Sequence, residues 1–445
     1  MNDTIAAIAT AGGSGTIAIV RLSGPEARQL AATIAPKASF TPRQADLATL
    51  YDRNGAMIDQ GIVLFFASPR SFTGEDVVEF QSHGGVVIAR QILDALLEAG
   101  ARLAEPGEFT KRAFLGGKID LSQAEAIAGI IEAKSVRGTQ ILARQLQGEL
   151  GEFVDATREA LLRILAHSEV MIDYAEEVES PVVEALTRQL EELREHLERT
   201  VRSSLRRRGL IEGFRVAIVG KPNVGKSSLL NAMLAYDRAI VSPIAGTTRD
   251  TIEETIEIGS HHVRLIDTAG IRSSEDTIEQ IGVERSLASL QEADIVVALF
   301  DASRPWDGED RRIADLLEVL PPENVLVVIN KVDLPSELDR SSLTRWPQLE
   351  LSVAQDAEPL IARLETLLDQ RGDGEEPMLV SQRQMEAVRA CAEQIMLAYM
   401  PLEQGELELF SYHIREAIER IGSITHPYEE SEMLDRMFGE FCLGK

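Results

Sequence analysis

Cysteine is nearly missing from this chain. Cys391 and Cys442 are the two present in 445 residues, which excludes a disulfide-stapled framework. Cys391 sits in a helical apolar pattern and reads as an inert core residue. Positive charge is also scarce: 45 Lys and Arg stand against 72 Asp and Glu, a formal net charge of −27. That balance works against the phosphate neutralisation on which strong nucleic-acid binding rests. Any RNA contact is then local, at Arg206, Arg207 and Arg208 or at Lys111 and Arg112, or shared with a more basic partner. No apolar run is long enough to span a bilayer and no basic-then-apolar leader opens the sequence, so the expected compartment is the cytoplasm. Internal repeats and extended low-complexity segments are absent as well. What is there, 44% hydrophobic residues, suffices for about two to four domains with cores of their own.

The run Gly220-Lys221-Pro222-Asn223-Val224-Gly225-Lys226-Ser227 has the G-x-x-x-x-G-K-S spacing of a phosphate-binding loop. An apolar, strand-like run over residues 214–219 precedes it, and a helix-compatible stretch over 228–234, opening on Ser228, follows. The chemistry needs this pattern. Glycines let backbone N–H groups turn inward around phosphates, Lys226 reaches the β/γ oxygens, and the Ser227 hydroxyl can ligate Mg²⁺. Asn223, Val224, Gly225 and Ser228 belong to the same nucleotide-binding set.

Three further stretches follow in the order a GTPase domain requires. Gly246-Thr247-Thr248-Arg249-Asp250 supplies a threonine to the metal in the triphosphate state. Asp267-Thr268-Ala269-Gly270 ends a strand expected over 262–266; its aspartate holds the metal's water shell and its glycine N–H senses the γ-phosphate. Asn330-Lys331-Val332-Asp333 ends the very apolar run 325–329. The Asp333 carboxylate can accept hydrogen bonds from both N1–H and the exocyclic amine of guanine, which adenine cannot offer. A fifth loop, Ser352-Val353-Ala354, follows a strand-like run over 349–351, and its backbone at Val353 and Ala354 can contact the guanine oxygen.

Many small GTPases place a water-orienting glutamine directly after Asp-Thr-Ala-Gly; here that position is Ile271. Two nearby groups could take over. Glu279, at the start of a helix-like run over 278–292, could act on the water directly or through a second water, or be a helix-end carboxylate favoured by the dipole. Asn223 could ligate a monovalent cation beside the β/γ bridge, or simply brace the loop by hydrogen bonds.

Around these motifs, strand-like runs (16–22, 61–66, 76–81) alternate with helix-like stretches (26–34, 85–98) up to about residue 118, as in a compact α+β domain. The pattern is then helical, with long segments over 121–147 and 154–174 and another helix from Pro181. It turns helical again after a linker at 371–377. The economical reading is a multidomain chain of α/β and all-α parts: an N-terminal α+β domain (1–118), a discontinuous helical domain (119–210 and 371–445), and an inserted Ras-like P-loop GTPase domain (211–370).

Residues in all three parts carry a family resemblance. Near the start stand Asp3-Thr4-Ile5-Ala6-Ala7 and Val20-Arg21-Leu22-Ser23-Gly24-Pro25, then Phe72-Thr73-Gly74-Glu75-Asp76-Val77-Val78-Glu79 and His83-Gly84-Gly85. The most distinctive stretch, Ala104-Glu105-Pro106-Gly107-Glu108-Phe109-Thr110-Lys111-Arg112-Ala113-Phe114-Leu115, continues into Gly117-Lys118-Ile119-Asp120-Leu121. With the GTPase motifs and the terminal Cys442-Leu443-Gly444-Lys445, the chain resembles the MnmE (TrmE) tRNA-modification GTPase family over essentially its whole length.

The resemblance implies a homodimer formed through N-terminal domains that bind 5,10-methylene- or 5-formyl-tetrahydrofolate. It implies a partner, the FAD-containing MnmG (GidA) protein, and modification of C5 of the wobble uridine of tRNA with an aminomethyl or carboxymethylaminomethyl group. Hydrolysis would be activated by K⁺-dependent pairing of GTPase domains. Carried over, Asn223, Ser242, Ile244 and Thr247 would hold K⁺, Ser227 and Thr248 would hold Mg²⁺, and Glu279 would orient the water. Arg21, Glu79, Lys118 and Lys445 match the folate-contacting positions. Cys442 matches the terminal cysteine, either a nucleophile or a residue that shapes the site. The segment 11–15 is shorter than the family's usual loop, Ser82 stands where some relatives carry cysteine, and His83 reads as a turn residue. Two other readings remain: a ribosome-assembly GTPase of the Era type, which would carry an appended basic domain, and a folate-sensing switch protein.

Overall fold

Alternation builds the first sheet. The structure, a computed structural model, describes residues 3–13, 15–173, 180–240, 253–267, 290, 292–374, 376–426, 431–439, 441 and 444. Strands β1 (Ile5–Ile8) and β2 (Ile17–Ser23) pair antiparallel, from Ile5↔Ser23 to Ile8↔Val20. Along β2, Ala18, Val20 and Leu22 are buried, leaving Ile19 and Arg21 on the opposite face. With α1 (Ala27–Ile34), β3 (Ala45–Tyr51), β4 (Met57–Phe66), β5 (Val77–His83), α2 (Val86–Ala99) and β6 (Arg102–Leu103), they give a sheet of order β3-β4-β5-β2-β1-β6. Its core joins Val20, Leu22, Leu50, Val63, Phe65 and Phe80 to Leu30 and Ile34 of α1 and Ile92 and Leu96 of α2. The strands and helices expected in this region are present within a few residues. β1, β3 and β6 have no counterpart in the sequence reading, because Ile5-Ala6-Ala7-Ile8 is too short and alanine-rich to separate strand from helix.

Helices then take over: α3 (Glu108–Leu115), α4 (Leu121–Glu132), α5 (Val136–Leu146), α6 (Glu149–Asp173) and α7 (Ser180–Arg207). The pattern over 121–147 reads as one segment, but the structure breaks it at residues 133–135. There Ser135 Oγ accepts the Gly138 N–H at 2.9 Å and caps the start of α5. The basic end of α7 is not an open patch. Buried Arg207 donates to the carbonyls of Gly374 (3.3 Å) and Glu376 (2.7 Å), Arg206 donates to Asp373 O, and Arg208 pairs with Glu212. The cluster ties down the stretch that the sequence marks as a linker.

The second sheet is doubly wound. After α8 (Gly209–Glu212) come β7 (Phe214–Gly220), α9 (Lys226–Ile240), β8 (Glu253–Ile258), β9 (His261–Asp267), β10 (Ile295–Asp301), α10 (Gly308–Glu318), β11 (Val325–Asn330), β12 (Gln348–Glu350) and α11 (Glu358–Gly372). The order is β12-β11-β10-β7-β9-β8, parallel throughout except that β8 runs antiparallel to β9. The neighbouring interior strands Ile295–Asp301 and Val325–Asn330 are buried at every position, as expected of strands covered on two faces. The chain order reverses beside β7, and ligands of such sheets bind at that switch point, outside the carboxyl ends of the strands.

The chain closes with α12 (Gln382–Gln404), α13 (Leu407–Gly422) and α14 (Ser431–Gly439). Cys391 lies buried in α12 with its thiol pushed up to about 12 by desolvation, as a core thiol should be. Two compact units result: Met1–Ala128, Gln145–Val183 and Glu393–Lys445 form the first, Gly129–Arg144 and Glu184–Ala392 the second. Within the first, α6 packs on α13, where Ser168 and Ser411 share a buried 2.9 Å hydrogen bond, and Phe438 of α14 packs with Leu121 and Ala124. Among the described residues, no helix is long and apolar enough to cross a membrane.

Candidate functional site

The second unit brings three of the sequence motifs to one end of its sheet. β7 ends at Gly220, whose φ of +155° and close neighbours (an added Cβ would meet Leu299 O and Val224 Cγ1, each at 2.8 Å) admit only glycine. Gly225, at φ +111°, lies so close to Asn330 that a Cβ would come within 2.4 Å of Nδ2. Between them Asn223 takes a left-handed φ of +62°, and Val224 is buried beneath the loop. Lys226 opens α9, and its ammonium donates to Gly220 O at 2.5 Å and Lys221 O at 2.9 Å. Ser227 and Ser228 stand in the helix's first turn. Loop N–H groups and a helix N-terminus together make an anion site.

Asn330 joins the loops. Its Nδ2 donates to Val224 O at 2.7 Å, while its Oδ1 accepts from Lys331 N at 2.8 Å and from Val353 N at 2.9 Å. One buried amide thus fixes the phosphate loop, the Asn-Lys-x-Asp turn and the fifth loop together. Lys331, at φ +63°, donates to Asn223 O at 2.9 Å and to Asp301 Oδ2 at 2.6 Å. Burial pushes the Asp301 carboxyl up, but Lys331 and the Ser303 donors outweigh it and hold the group below its ordinary value. Asp333 is exposed beyond this turn, as is Ala354 beyond the buried Ser352 and Val353.

Asp301, Asp307, Asp310 and Lys221 have no role in the sequence reading. Lys221 Nζ lies 2.7 Å from Asp310 Oδ2 and 3.0 Å from Asp307 Oδ2, and Asp307 caps α10 in a reciprocal capping box with Asp310. The Asp-x-x-Asp spacing before an apolar period was the available signal for that cap. Nothing local pointed to the lysine 86 residues upstream of Asp307. Ser242, Ile244, Thr247, Thr248, Thr268, Ala269, Gly270 and Glu279 lie outside the described residues; Asp267 closes β9 and only its backbone is described.

A second set of expected residues meets in the first unit. Arg21 and Glu79 face each other in the β2–β5 register, and both Nε and Nη2 of Arg21 reach Glu79 Oε1 at 2.9 Å. The guanidinium stands over the rings of Phe72 and Phe109, 5.7 and 5.6 Å from their centroids. Lys118 lies against Gly74 of the same 72–76 loop, its Cε 2.8 Å from where a Cβ would be. Gly444 is buried against the end of β1, where a Cβ would approach Ile8 O to 2.3 Å. Cys442 and Lys445 lie outside the described residues. His83 ends β5 with its ring 2.9 Å from Asp59 Oδ1 and its N–H on Asp59 Oδ2, a strand-end lock.

Beneath this surface runs an ionic chain. Arg112, 3% exposed, contacts Asp3 (2.8 Å), Glu108 (3.0 Å) and Glu75 (3.2 Å), and Arg102 joins Asp3 to Glu108. Burial raises the Glu108 carboxyl, yet Arg102, the Glu105 N–H and Arg112 bring it below its ordinary value. The Arg102 bond does the same for Asp3. Arg112 is therefore committed inside the unit, and Lys111 is paired with Asp435.

Two family models match the chain: the GTP-binding protein TrmE N-terminus over residues 4–118, and the MnmE helical domain over residues 121–442. Among curated proteins, the tRNA modification GTPase MnmE of Sulfurovum sp. (strain NBC37-1) is 56% identical, across 100% of this chain and 99% of its own. That of Aliarcobacter butzleri (strain RM4018) is 54% identical over the same shares. A solved structure of Era in complex with MgGDPNP and a 16S ribosomal RNA fragment is 29% identical, with a TM-score of 0.28, covering 41% of this chain and 67% of that chain.

Proposed function

The chain belongs to the MnmE family of tRNA modification GTPases, and from that premise we propose how its two sites divide the work. It is a GTP hydrolase of tRNA modification. In this reading it is K⁺-activated and acts as a cytoplasmic homodimer with the FAD-containing MnmG protein. Together they install an aminomethyl or carboxymethylaminomethyl group at C5 of the wobble uridine, with tRNA bound largely through the partner. The division into domains 1–118, 119–210 with 371–445, and 211–370 is part of the same proposal.

The observation that carries the nucleotide half is the Asn330 amide, which fixes three loops around one opening at the switch point of the sheet. The loop needs glycine at 220 and 225, where a Cβ would meet Leu299 O, Val224 and Asn330, and loop N–H groups beside the N-terminus of α9 suit phosphates. Lys226 can pass from two carbonyls to β/γ oxygens, Ser227 with Thr248 would hold Mg²⁺, and Asp333 selects guanine. Val353 N–H is engaged by Asn330, so the backbone contact to the guanine oxygen falls to Ala354. Asn223, with Ser242, Ile244 and Thr247, would hold K⁺, which supplies positive charge beside the β/γ bridge. Glu279 orients the water that Ile271 cannot. Glu279→Ala should bind nucleotide normally and hydrolyse it poorly; unchanged turnover would end that assignment.

For the folate half, the Arg21–Glu79 pair presents a donor and an acceptor side by side next to Phe72 and Lys118. Pterin carbonyl and N–H edges match that pair, and Lys118 and Lys445 suit the glutamate tail. Cys442 is the candidate nucleophile. The deciding experiment is nucleoside mass spectrometry on tRNA from cells lacking the chain, with wild-type and Asp333→Asn rescue. Loss of a C5-substituted wobble uridine, restored by wild type alone, is expected. An unchanged profile would move the protein to ribosome assembly or folate sensing.

A further inference from the structure

Lys221, the second residue of the phosphate loop, places its ammonium in the N-terminus of α10. It donates to Asp310 Oδ2 at 2.7 Å and Asp307 Oδ2 at 3.0 Å, and its side chain is 4% exposed. Asp310 is wholly buried. Its Oδ2 also accepts the Asp307 N–H, and its Oδ1 has no hydrogen-bond partner among the described residues. Asp307 Oδ1 takes the N–H groups of Glu309 and Asp310. The ammonium is thus a third member of the capping box.

Two effects oppose this placement. A buried ammonium loses its hydration, and a cation at a helix N-terminus meets the positive end of the dipole. The loss of hydration is outweighed by the two carboxylates, which hold the ammonium above its ordinary value, whereas an apolar side chain would leave buried Asp310 without a cation. The anchored residue also acts through its other side, where the Lys221 carbonyl accepts the Lys226 ammonium beside Gly220 O. The far half of the loop is fixed at Asn223 O by Lys331 and at Val224 O by Asn330. Lys221 provides the corresponding hold on the near half.

We propose that Lys221 is a positioning residue of the phosphate loop: clamped between Asp307 and Asp310, it fixes the carbonyls that hold Lys226 ready for the β/γ phosphates. The proposal rests on reading this loop as the GTP site. Lys221 touches no nucleotide in this scheme; it acts through Lys226. The contact also makes the segment from Asp301 to Asp310 a second support for the loop, since Asp301 holds Lys331 and Asp307 and Asp310 hold Lys221.

The test uses the full-length protein as Lys221→Met, Lys221→Arg and Asp310→Asn. Binding of a fluorescent GDP is titrated well below the melting midpoint, and kcat and KM are measured with GTP. Lys221→Met and Asp310→Asn should each weaken GDP binding and raise KM by about tenfold, with kcat changed less than about threefold. Lys221→Arg, which keeps a cation between the two carboxylates, should keep both near wild type, and binding measured well below the melting midpoint separates positioning from a general loss of stability. If Lys221→Met fails to fold, the isosteric Asp310→Asn carries the test. GDP affinity within about twofold of wild type in a folded Asp310→Asn protein would overturn the proposal, because Asp310 supplies the buried half of the clamp. Asp333→Asn in the same series separates the two failures. If it leaves the guanine-over-xanthine preference unchanged, the reading of the site as a GTP site fails, and this proposal with it.

Discussion

In the second unit the ammonium of Lys226 rests on carbonyls of the phosphate loop, whereas in the first unit Arg21, Arg102 and Arg112 end on carboxylates. The difference sets what each site can accept. A carbonyl is a neutral partner, and an ammonium that leaves it for a phosphate exchanges a dipole for a charge. Arg21 is already neutralised by Glu79, so a ligand there must satisfy both members at once or leave one unpaired. On the proposed assignment, the phosphate loop would meet its ligand with an ammonium held by carbonyls, and the Arg21–Glu79 pair would ask for an edge that carries donors and acceptors together.

The contrast can be broken one unit at a time, because Trp306 and Trp346 are the protein's two tryptophans and both lie in the second unit. Tryptophan emission thus follows that unit alone, while far-ultraviolet circular dichroism follows both. The largest effect is expected from Arg112→Met, which leaves Glu108 and Glu75 without their buried cation. It should cost about 3–5 kcal/mol of stability in urea unfolding, seen by circular dichroism while the tryptophan transition holds. Coincident shifts of both probes would show that the units do not unfold separately. Asn330→Ala comes next and inverts the pattern. Losing three hydrogen bonds of about 1 kcal/mol each should move the tryptophan transition and weaken GDP binding at least about tenfold, as read by fluorescence titration.

Much of the second unit was legible because its motifs encode backbone shape. Gly220, Gly225 and Lys226 stand at fixed spacings since the loop must turn within a few residues, and Asn330 and Asp333 follow an apolar run that could only be a buried strand. What was hidden lies across the sheet. Asp301 meets Lys331 because β10 and β11 are in register at Asp301↔Asn330, and Lys221 meets α10, neither of which any local pattern records. In the first unit Arg21 and Glu79 are recognisable as family positions, yet their mutual pairing follows only from the β2–β5 register. The break between α4 and α5 was missed because helical periodicity runs on through residues 133–135, and only the Ser135 cap shows it.

Smaller effects sharpen the comparison further. Asp3 and Glu108 in the first unit, and Asp301 and Asp307 in the second, all have carboxyls held below their ordinary values. Their contribution is complete above the unfolded-state values of about 4 and is lost as pH falls through the lower folded ones. Stability should stay flat on acidification to about pH 4.5 and fall below it in both probes. A decline beginning near pH 6 would mean that histidines, not these carboxylates, govern it. The smallest change in stability is expected from Arg21→Gln, at most about 1 kcal/mol for a partly exposed pair. The same variant should weaken binding of 5-formyl-tetrahydrofolate by about tenfold in calorimetric titration, a loss of about 1.4 kcal/mol. Undiminished folate binding would remove Arg21 from that site.

The burial of Gly444 against Ile8 and Ala9 has a consequence for how the molecule is made. Ile8 and Gly444 are separated in sequence by the whole second unit, so the two sides of that contact leave the translation machinery far apart in time. At about 5–20 residues per second, β1 emerges more than about 20 s before Gly444 exists to cover it. The first unit can begin to collapse on the nascent chain, but Ile8 is covered only once Gly444 has emerged, after the whole second unit.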